Sequence, residues 1–310
     1  MRLFISGSLA YDRIMDFPGH FTDHILPDKI HVLNVCFNIS NLVEKFGGTA
    51  GNIAYTLALL GEKPEIVATA GDDFDRYDVW LRKNSISTAC IKRVTGVFTA
   101  GAYITTDLDD NQITAFNPGA MIHRADVPDT AQGESAFFIG PGNKEDMMAF
   151  ARLSREKGIP FFFDPGQSLN IWQGDELREA VKGALCFISN DYELSLFLQM
   201  TRWSMKDLYD NVDLVITTRG PEGAVLDLHG EKTLFPAAPV KEVLDPTGAG
   251  DAFRAGFLKG WVMKMSWDVC CQMAVIAAAY SVEKYGTQEH RMDWGEFCDR
   301  YAASFGPLVC

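Results

Sequence analysis

The residues best suited to chemistry are 245–253, which read DPTGAGDAF. Small residues lead here into a helical pattern over 252–264, so backbone N–H groups at the start of that helix should point outward, where they bind anions. A carboxylate inside an anion site repels the ligand, so Asp251 suits a general base that accepts the proton of an attacking hydroxyl. The predicted anion hole consists of Gly248, Ala249 and Gly250. An ordinary tight turn, with Asp251 as a helix cap, is the alternative.

A second run of small residues, 47–54, reads GGTAGNIA and opens a helical stretch over 54–60. Small residues admit a close ligand, and the amide of Asn52 can both donate and accept, which suits the paired hydroxyls of a sugar ring. Upstream, residues 7–12 read GSLAYD, follow the first predicted strand and offer Asp12 as an acceptor for a hydroxyl. The predicted substrate contacts in these two segments are Ser8, Asp12, Gly48 and Asn52. Either segment taken alone is more typical of a loop than of a site.

An α/β framework is predicted to position these residues. From about residue 136 short apolar runs alternate with longer helical patterns, which is typical of βαβ units and a parallel sheet. The runs show little alternation, as expected for strands buried on both faces. Predicted strands lie at 137–139, 160–163, 185–188 and 214–217, and predicted helices at 146–157, 175–182 and 191–200. The sequence therefore predicts an α/β fold with a doubly wound, mostly parallel sheet.

Polar residues follow three of these strands, at 164–167, 190–193 and 217–223. Ligands of open α/β sheets bind beyond the carboxyl ends of the strands. We therefore expect the three polar segments to meet at one edge of the sheet.

The first third of the chain has a different pattern. Strands are predicted at 101–106 and 112–116, and residues 13–45 lack a long helical period. Segments 13–45 and 97–120 together predict a small β-rich lid inserted into a single domain that spans 1–310, with irregular loops as the alternative. Exposed lid edges leave a homodimer through the lid open.

Composition and charge exclude several classes of protein. With 47% hydrophobic and 22% charged residues, the chain is predicted to fold as a globular protein. A net charge of -13 argues against nucleic-acid binding, which needs a basic surface. An acidic protein that binds ATP must therefore create its own local positive field.

The seven cysteines form no CxxC pair, so neither disulfides nor a zinc site are indicated, and a cytoplasmic location is predicted. No apolar stretch reaches the roughly 18 residues of a membrane span. The longest candidate, 273–280, is predicted to be a buried helix.

Several catalytic motifs are missing. The sequence contains no GxxxxGK[ST] phosphate loop and no HRD with DFG pair, which excludes P-loop enzymes and protein kinases. The six histidines are scattered without ligand spacing and are predicted to be surface or core residues.

With both small-residue motifs identified, the chain resembles the ribokinase-like family of carbohydrate and nucleoside kinases, also called the PfkB family. Residues 47–61 resemble its N-terminal signature of paired glycines, an Asn and an alanine-rich helix, and 245–253 resemble its C-terminal signature without a substitution. The resemblance covers essentially the whole chain. It implies a three-layer αβα fold with a lid, ATP and Mg²⁺ as cofactors, and a monovalent cation such as K⁺ near Asp245 and Thr247.

The family pattern also implies roles for individual residues. Asp251 becomes the base, and Asp12, Gly48 and Asn52 become substrate contacts. Asn190 and Glu193 match an Asn-x-x-Glu element that helps to hold the magnesium shell and the phosphates, Asn190 as an ATP contact and Glu193 as a magnesium contact through water. Nucleotide contacts are implied in the loop that contains Thr218, Gly220 and Gly223. Relatives often place an Asn near the adenine where this chain reads AAAYS at 277–281, so the adenine contacts stay open.

Within the family, the segments 99–121 and 251–257 look most like bacterial adenosine kinases. A purine needs an aromatic face and an amide, which Phe116 and Gln167 are predicted to supply. Alternatively, Phe116 fills the lid and Gln167 caps a helix.

The predicted reaction is therefore transfer of phosphate from ATP to the 5′-hydroxyl of adenosine, giving AMP and ADP. One alternative is a sugar kinase for ribose or fructose, which needs no aromatic platform. A second is a non-catalytic nucleotide-binding regulatory protein, against which the intact Asp251 argues.

Overall fold

The computed structural model describes residues 1–109, 111–131 and 134–308. Asp110 of the predicted lid and Cys310 lie outside these residues. The strands in chain order are β1 (Arg2–Ser6), β2 (Ala10–Asp16), β3 (Asn41–Gly47), β4 (Glu65–Ala70), β5 (Ile91–Arg93), β6 (Ala100–Thr106), β7 (Gln112–Asn117), β8 (Ser135–Ile139), β9 (Phe161–Phe163), β10 (Ala184–Asn190), β11 (Val212–Thr218), β12 (Ala224–Leu228) and β13 (Glu231–Phe235).

The helices flank these strands. They are α1 (Thr49–Leu59), α2 (Asp75–Lys83), α3 (Lys144–Lys157), α4 (Gly174–Val181), α5 (Asp191–Thr201), α6 (Met205–Tyr209), α7 (Ala249–Val262), α8 (Trp267–Val282) and α9 (Trp294–Phe305). Local sequence sets their ends, as α3 shows. Its first turn is capped by the Asn143 side chain, which accepts the N–H of Asp146, and it stops at Gly158, whose φ of 64° few other residues adopt.

The main sheet has the strand order β13-β12-β11-β10-β9-β8-β1-β4-β5 across the described residues. Pairing is parallel from β5 through β11, and β12 and β13 add antiparallel strands at one edge. The predicted doubly wound, mostly parallel sheet is therefore confirmed.

The centre of the sheet is buried on both faces, which explains its unbroken apolar strands. In β9, Phe162 packs on one face against Trp261 of α7, with ring centroids 5.0 Å apart. Phe161 and Phe163 belong to the hydrophobic cluster on the other face. All three rings are at most 1% exposed.

A second, smaller sheet has the order β3-β2-β6-β7. Its strands lie in or next to the two segments predicted to form a lid. β7 is an edge strand whose residues are all exposed. That this sheet moves as a lid, and that its edge joins two copies, stay predictions.

The predicted strands and helices between 136 and 218 are confirmed with small changes at their ends. Two helices start earlier in the structure than the sequence predicts. α1 begins at Thr49 instead of residue 54, and α7 begins at Ala249 instead of Ala252, because in each case a glycine of positive φ ends the preceding turn and the small residues behind it are already helical.

Residues 273–280 lie within α8, as the predicted buried helix requires. Within the described residues, no helix is both long enough and apolar enough to cross a membrane. Cys36, Cys90, Cys186, Cys270 and Cys271 carry free thiols.

Candidate active site

The N-terminus of α7 presents free backbone donors. Gly248, with φ 79°, is the N-cap, and no side chain caps the helix. Among the described residues, the N–H groups of Gly248, Gly250 and Asp251 have no hydrogen-bond acceptor, whereas that of Ala249 donates to the carbonyl of Pro246 at 3.2 Å. Two of the three residues of the predicted anion hole, Gly248 and Gly250, therefore have an N–H group that can donate to a ligand. Asp251 adds a third such N–H group.

A carboxylate braces this turn from outside. Asp245 accepts the N–H of Thr247 at 2.9 Å through Oδ1 and the N–H of Gly286 at 3.0 Å through Oδ2. The segment after α8 therefore helps to hold the turn in place. These two contacts also occupy both oxygens of the carboxylate near which a monovalent cation was expected.

Asp251 does not cap its helix. Its Oδ2 instead accepts the side-chain N–H of Asn52 at 2.8 Å. Burial raises the pKa of Asp251 to about 6, a rise that the Asn52 hydrogen bond and the charge of Arg254 oppose. At neutral pH most molecules therefore carry an ionised Asp251, and its pKa lies close enough to neutrality for general-base catalysis.

Arg254 is a buried cation beside the start of α7. It lies one turn after Asp251 on α7, donates to the carbonyl of Gly250 at 2.9 Å and forms an ion pair with Asp164 at the end of β9. Both side chains are at most 8% exposed. Burial works against the charge of Arg254, yet the neighbouring carboxylates, Asp164 foremost, raise its pKa above the ordinary value. Sequence reasoning did not assign Arg254 or Asp164 a role.

A cavity of about 720 Å³ brings most of the predicted residues together. Its wall combines the start of α7 with the carboxyl ends of β9, β10 and β11, which confirms that the polar segments meet at one edge. The predicted residues that line it are Gln167, Asn190, Glu193, Thr218, Gly220, Gly223, Gly248, Ala249, Gly250 and Asp251.

Asn190 and Glu193 form a capping box at the start of α5. The Asn190 side chain accepts the N–H of Glu193 at 2.7 Å, and Glu193 accepts the N–H of Asn190 at 2.9 Å. Thr218 lies directly beside Asn190 on the neighbouring strand. Burial raises the pKa of Glu193, and the N–H of Asn190 opposes that rise.

The charges in this cavity suit a divalent cation. Three carboxylates, those of Asp164, Glu193 and Asp251, face it together with one guanidinium, that of Arg254. Carboxylate oxygens are the ligands that Mg²⁺ prefers, and this ion commonly keeps several of its waters. Asp164 is ion-paired with Arg254, Asp251 is bonded to Asn52, and the three carboxylates form no ligand cluster among the described residues. Glu193 is therefore the carboxylate that fits a hydrated magnesium ion, held through its waters.

The far end of the cavity is an apolar cleft. Val275, Ala279 and Val282 of α8 face Ala238 and Val240 of the segment after β13. Small and branched apolar side chains on both sides can enclose a flat ring. The run of alanines in α8 left the adenine contacts open in the sequence, and here it forms one wall of that cleft.

A second cavity, of about 420 Å³, lies between the small sheet and the turn before α7. Asp12 lines it, together with Asp245 and Thr247 of the turn and Lys45 and Gln112 of the small sheet. Burial and the negative charge of Asp245 raise the pKa of Asp12 to about 6. The structure thus places Asp12 beside the turn that precedes α7, and its contact with a substrate stays a prediction.

The other N-terminal residues predicted to contact substrate are engaged within the protein. The hydroxyl of Ser8 accepts the N–H of Thr49 at 3.0 Å. A Cβ on Gly48 would lie 2.6 Å from the carbonyl oxygen of Ser8. Asn52 is 5% exposed and bonds both to Asp251 and to Gln288. Their contacts with a substrate stay predictions, while their contacts within the fold are clear.

The structure does not bring Phe116 and Gln167 together. Gln167 is exposed on the wall of the larger cavity, and Phe116 is 51% exposed on the edge strand β7. Neither residue lines the second cavity, where Gln112 supplies an amide and Phe17 an aromatic ring. Phe17 was not predicted from the sequence, because nothing in the residues around it indicates a site.

His20 lies close to two acidic residues that are distant from it in the sequence. His20 lies with Asp107 and Asp109 in the small sheet's outer loops, and its Nδ1 is 2.8 Å from Asp109. Asp107 already accepts the N–H groups of Phe21, Asp109 and Asn111. Its carboxylate therefore stabilises the loop.

An anion-binding helix start, a positioned carboxylate and an adjoining apolar cleft are the parts that phosphoryl transfer to a hydroxyl requires. Residues 17–294 match the pfkB family of carbohydrate kinases, and the chain belongs to this family. The resemblance seen in the two signature motifs is therefore confirmed.

Individual relatives cover nearly the whole chain. A nucleoside kinase from Methanocaldococcus jannaschii is 28% identical over 275 residues, which are 88% of this chain and 91% of the relative. The structure of Burkholderia thailandensis nucleoside kinase in complex with inosine superimposes with a TM-score of 0.87 at 35% identity over 98% of each chain. Its complex with ADP-inosine gives a TM-score of 0.84 at 35% identity over 99% of this chain and 98% of the other.

An adenosine kinase is more distant. The structure from Sinorhizobium meliloti has a TM-score of 0.75 at 22% identity, over 93% of this chain and 95% of the other. This similarity shows a shared fold. The preference for adenosine that the sequence predicted stays a prediction.

Proposed function

We propose that this protein is an ATP-dependent nucleoside kinase that phosphorylates the 5′-hydroxyl of a purine nucleoside, adenosine being the predicted acceptor. The observation that carries the proposal is the carboxylate of Asp251 at a helix N-terminus where the N–H groups of Gly248, Gly250 and Asp251 have no acceptor among the described residues. A base and an anion site in direct succession are what phosphoryl transfer to a hydroxyl needs.

The proposed reaction uses both features at once. Asp251 accepts the proton of the 5′-hydroxyl, whose oxygen forms a bond to the terminal phosphorus of ATP while the bond from that phosphorus to the bridging oxygen of ADP breaks. The N–H groups of Gly248, Gly250 and Asp251 stabilise the negative charge on the transferring group. Arg254 adds a positive charge behind the same turn.

ATP is proposed to occupy the larger cavity. Its adenine fits the apolar cleft beside α8, and its phosphates extend past Thr218, Gly220 and Gly223 toward α7. Asn190 and Glu193 are proposed to hold a hydrated Mg²⁺, which when bound neutralises phosphate charge. A role for K⁺ near Asp245 and Thr247, and a cytoplasmic homodimer, are further proposals of the sequence.

The acceptor class is supported by the relatives and by the second cavity. The two nucleoside kinases cover nearly the whole chain, and one has been solved with inosine. The second cavity adjoins the catalytic turn and combines carboxylate, amide and apolar walls, as a nucleoside requires. Inosine is therefore the first competitor of adenosine.

A substrate screen tests the proposal. ATP consumption and thermal shift are measured with adenosine, inosine, cytidine, ribose and fructose, for the wild type and for Asp251→Asn. We expect ADP formation and a nucleoside 5′-monophosphate with adenosine or inosine and none with the variant. Turnover of ribose or fructose alone would replace the nucleoside assignment with a sugar kinase, and nucleotide binding without any turnover would favour a regulatory protein.

A further inference from the structure

A chain of hydrogen bonds connects the catalytic carboxylate to the protein interior. The indole N–H of Trp80 donates to Oε1 of Gln288 at 2.9 Å, and Nε2 of Gln288 donates to Oδ1 of Asn52 at 3.0 Å. Nδ2 of Asn52 then donates to Oδ2 of Asp251 at 2.8 Å. Each side chain donates a hydrogen bond to the next one, so the donors all point in one direction, from Trp80 to Asp251.

The direction follows from the chemistry of the first member. An indole nitrogen can only donate, so the oxygen of the Gln288 amide must face Trp80 and its nitrogen must face Asn52. The hydroxyl of Tyr77 gives the same result. It donates to the carbonyl of Gly47 at 2.8 Å, and its oxygen accepts from Nε2 of Gln288.

Burial makes the orientation costly to change. Gln288 is 2% exposed, Asn52 is 5% exposed and Tyr77 is fully buried. Water cannot replace a lost partner at such sites, and a buried amide that turns around loses its hydrogen bonds at both ends. The four side chains of the hydrogen-bond chain come from different parts of the fold: Asn52 from α1, Trp80 from α2, Asp251 from α7 and Gln288 from the segment after α8. Tertiary structure therefore sets their arrangement.

We propose that Gln288, oriented by Trp80 and Tyr77, is a positioning residue for the catalytic base. It holds the Asn52 amide so that nitrogen, and never oxygen, faces Asp251. Oδ2 of Asp251 is thereby occupied, while Oδ1, which accepts no hydrogen bond from the described residues, stays free for the substrate hydroxyl. The inference rests on the proposed kinase function, because it assigns Asp251 as the base.

Reversal of the Asn52 amide would place two oxygens against each other and favour a protonated Asp251. The other charged or titratable groups around this carboxyl are Arg254, Asp164, Asp12 and Tyr77. Arg254, Asp164 and Asp12 make no hydrogen bond with Gln288 among the described residues, whereas Tyr77 loses one when Gln288 is altered but keeps its bond to Gly47. A change in the titration of Asp251 therefore reports on the chain of hydrogen bonds.

The decisive variant is Gln288→Met, which keeps the length of the side chain, adds no charge and removes the donor to Asn52. We expect the acid limb of kcat, measured at saturating nucleoside and ATP, to move upward by about one pH unit, because the Asn52 amide can then turn and its hydrogen bond to the charged Asp251 is lost. Activity should return toward the wild-type value at high pH. Trp80→Phe keeps the ring that stacks on Phe46 and should shift the limb in the same direction by less, because Tyr77 still holds Gln288.

Thr56→Val is the matched control. Thr56 lies one turn further along α1, is 1% exposed and bonds to the ring of His290 at 3.0 Å, so its loss weakens the same contact between α1 and the segment after α8. This control should lower the melting temperature without moving the pH profile. An equal pH shift in the control would show that general loosening, rather than the chain of hydrogen bonds, sets the profile.

Titration of the Asp251 carboxyl by ¹³C NMR, assigned through the signal lost in Asp251→Asn, needs no substrate. It decides the inference even if the wild type phosphorylates none of the screened acceptors, in which case the proposed function fails separately. An unchanged Asp251 titration in folded Gln288→Met would overturn the positioning role. If that variant does not fold, an unchanged titration in Trp80→Phe does so.

Discussion

Two helices in this protein start in nearly the same way and serve different purposes. α1 follows Gly48, with φ 89°, and α7 follows Gly248, with φ 79°. Neither helix has a side-chain cap on its N-cap residue. By sequence both are runs of small residues, and both are predicted to receive a ligand.

Their backbone donors differ. At α1 the N–H of Thr49 donates to the hydroxyl of Ser8 and the N–H of Ala50 donates to the carbonyl of Ser8, each at 3.0 Å. At α7 the N–H groups of Gly250 and Asp251 have no acceptor among the described residues. The first turn of α1 is buried, and that of α7 is partly exposed.

The comparison shows that a helix N-terminus binds an anion only where the fold leaves its donors unused. The start of α1 is a structural joint between β1, β2 and the helix. Its functional contribution passes through a side chain, because Asn52 reaches across to Asp251. In the proposed function, one motif therefore provides the anion site and the other orients the base.

The largest effect on activity is expected from Asp251→Asn, which removes the proposed base at the start of α7. We expect kcat to fall by about 10²–10⁴, the usual contribution of a general base, while the Kd for nucleoside changes little. Rapid-quench kinetics and calorimetric binding measure the two quantities. Asp213→Asn, an exposed carboxylate on β11, is the control and should leave both unchanged; wild-type turnover by Asp251→Asn would contradict the assignment.

The same variant should be more stable than the wild type at neutral pH. The folded-state pKa of Asp251, about 6, lies above the ordinary pKa of an aspartate, 3.8, so stability falls as pH rises from about 4 to about 6. A neutral amide avoids this loss and should raise the free energy of unfolding by about 2 kcal/mol at pH 7. Urea unfolding should show the gain disappear below about pH 4.

Gly48→Ala and Gly248→Ala form a matched pair that separates structure from catalysis. Both glycines have positive φ, so both substitutions carry a backbone cost of about 1–2 kcal/mol. A Cβ at Gly48 also meets backbone atoms of residues 8–10 within 2.8 Å, whereas one at Gly248 meets the side chain of Thr287 at 2.9 Å.

We therefore expect Gly48→Ala to lower the free energy of unfolding by about 3 kcal/mol or more. Gly248→Ala should lose less stability but about 10–10² in kcat, because the anion site shifts. Thermal unfolding and steady-state kinetics on both proteins check the pair. If the two variants lost kcat in the same proportion to their lost free energy of unfolding, the start of α7 would have no catalytic role beyond that of α1.

The pH dependence sharpens the link between the two regions. Asp12 and Asp251 both have a pKa of about 6, and the charge of Asp12 contributes to the rise at Asp251. Since the base must be ionised, kcat should fall about tenfold per pH unit below about 6. Asp12→Asn should move this limb to lower pH, because it removes a negative charge from beside the base. An upward shift in that variant would contradict the coupling.

Features carried by neighbouring residues could be predicted from the sequence. Asp251 with its glycines is one such case. The Asn190 and Glu193 pair is another, because the Asn-x-x-Glu element that identified it is a local pattern, although the capping box it forms was seen only in the structure. The predicted parallel strands rest on short apolar runs, and these too are local. The late placement of α1 and α7 shows the limit, since glycines at a helix start look like a turn.

Features that join distant segments could not be predicted. Arg254 and Asp164 are 90 residues apart, and Gln288 and Asn52 are 236 apart. Their pairing depends on tertiary structure, which a single sequence does not state. The predicted pair Phe116 and Gln167 failed to converge for the same reason, because one lies on the edge of the small sheet and the other at the end of β9.

Ser8→Ala tests the smallest difference between the two helix starts. The sequence predicts Ser8 as a substrate contact, but the structure uses its hydroxyl as the acceptor for the first N–H of α1. Removal of such a cap costs about 1 kcal/mol. If that is the main role of Ser8, the variant melts at a lower temperature with an unchanged KM for nucleoside. A raised KM at unchanged stability would instead return Ser8 to the substrate site, since the lost hydroxyl would then have been bonding to the ligand rather than to the helix.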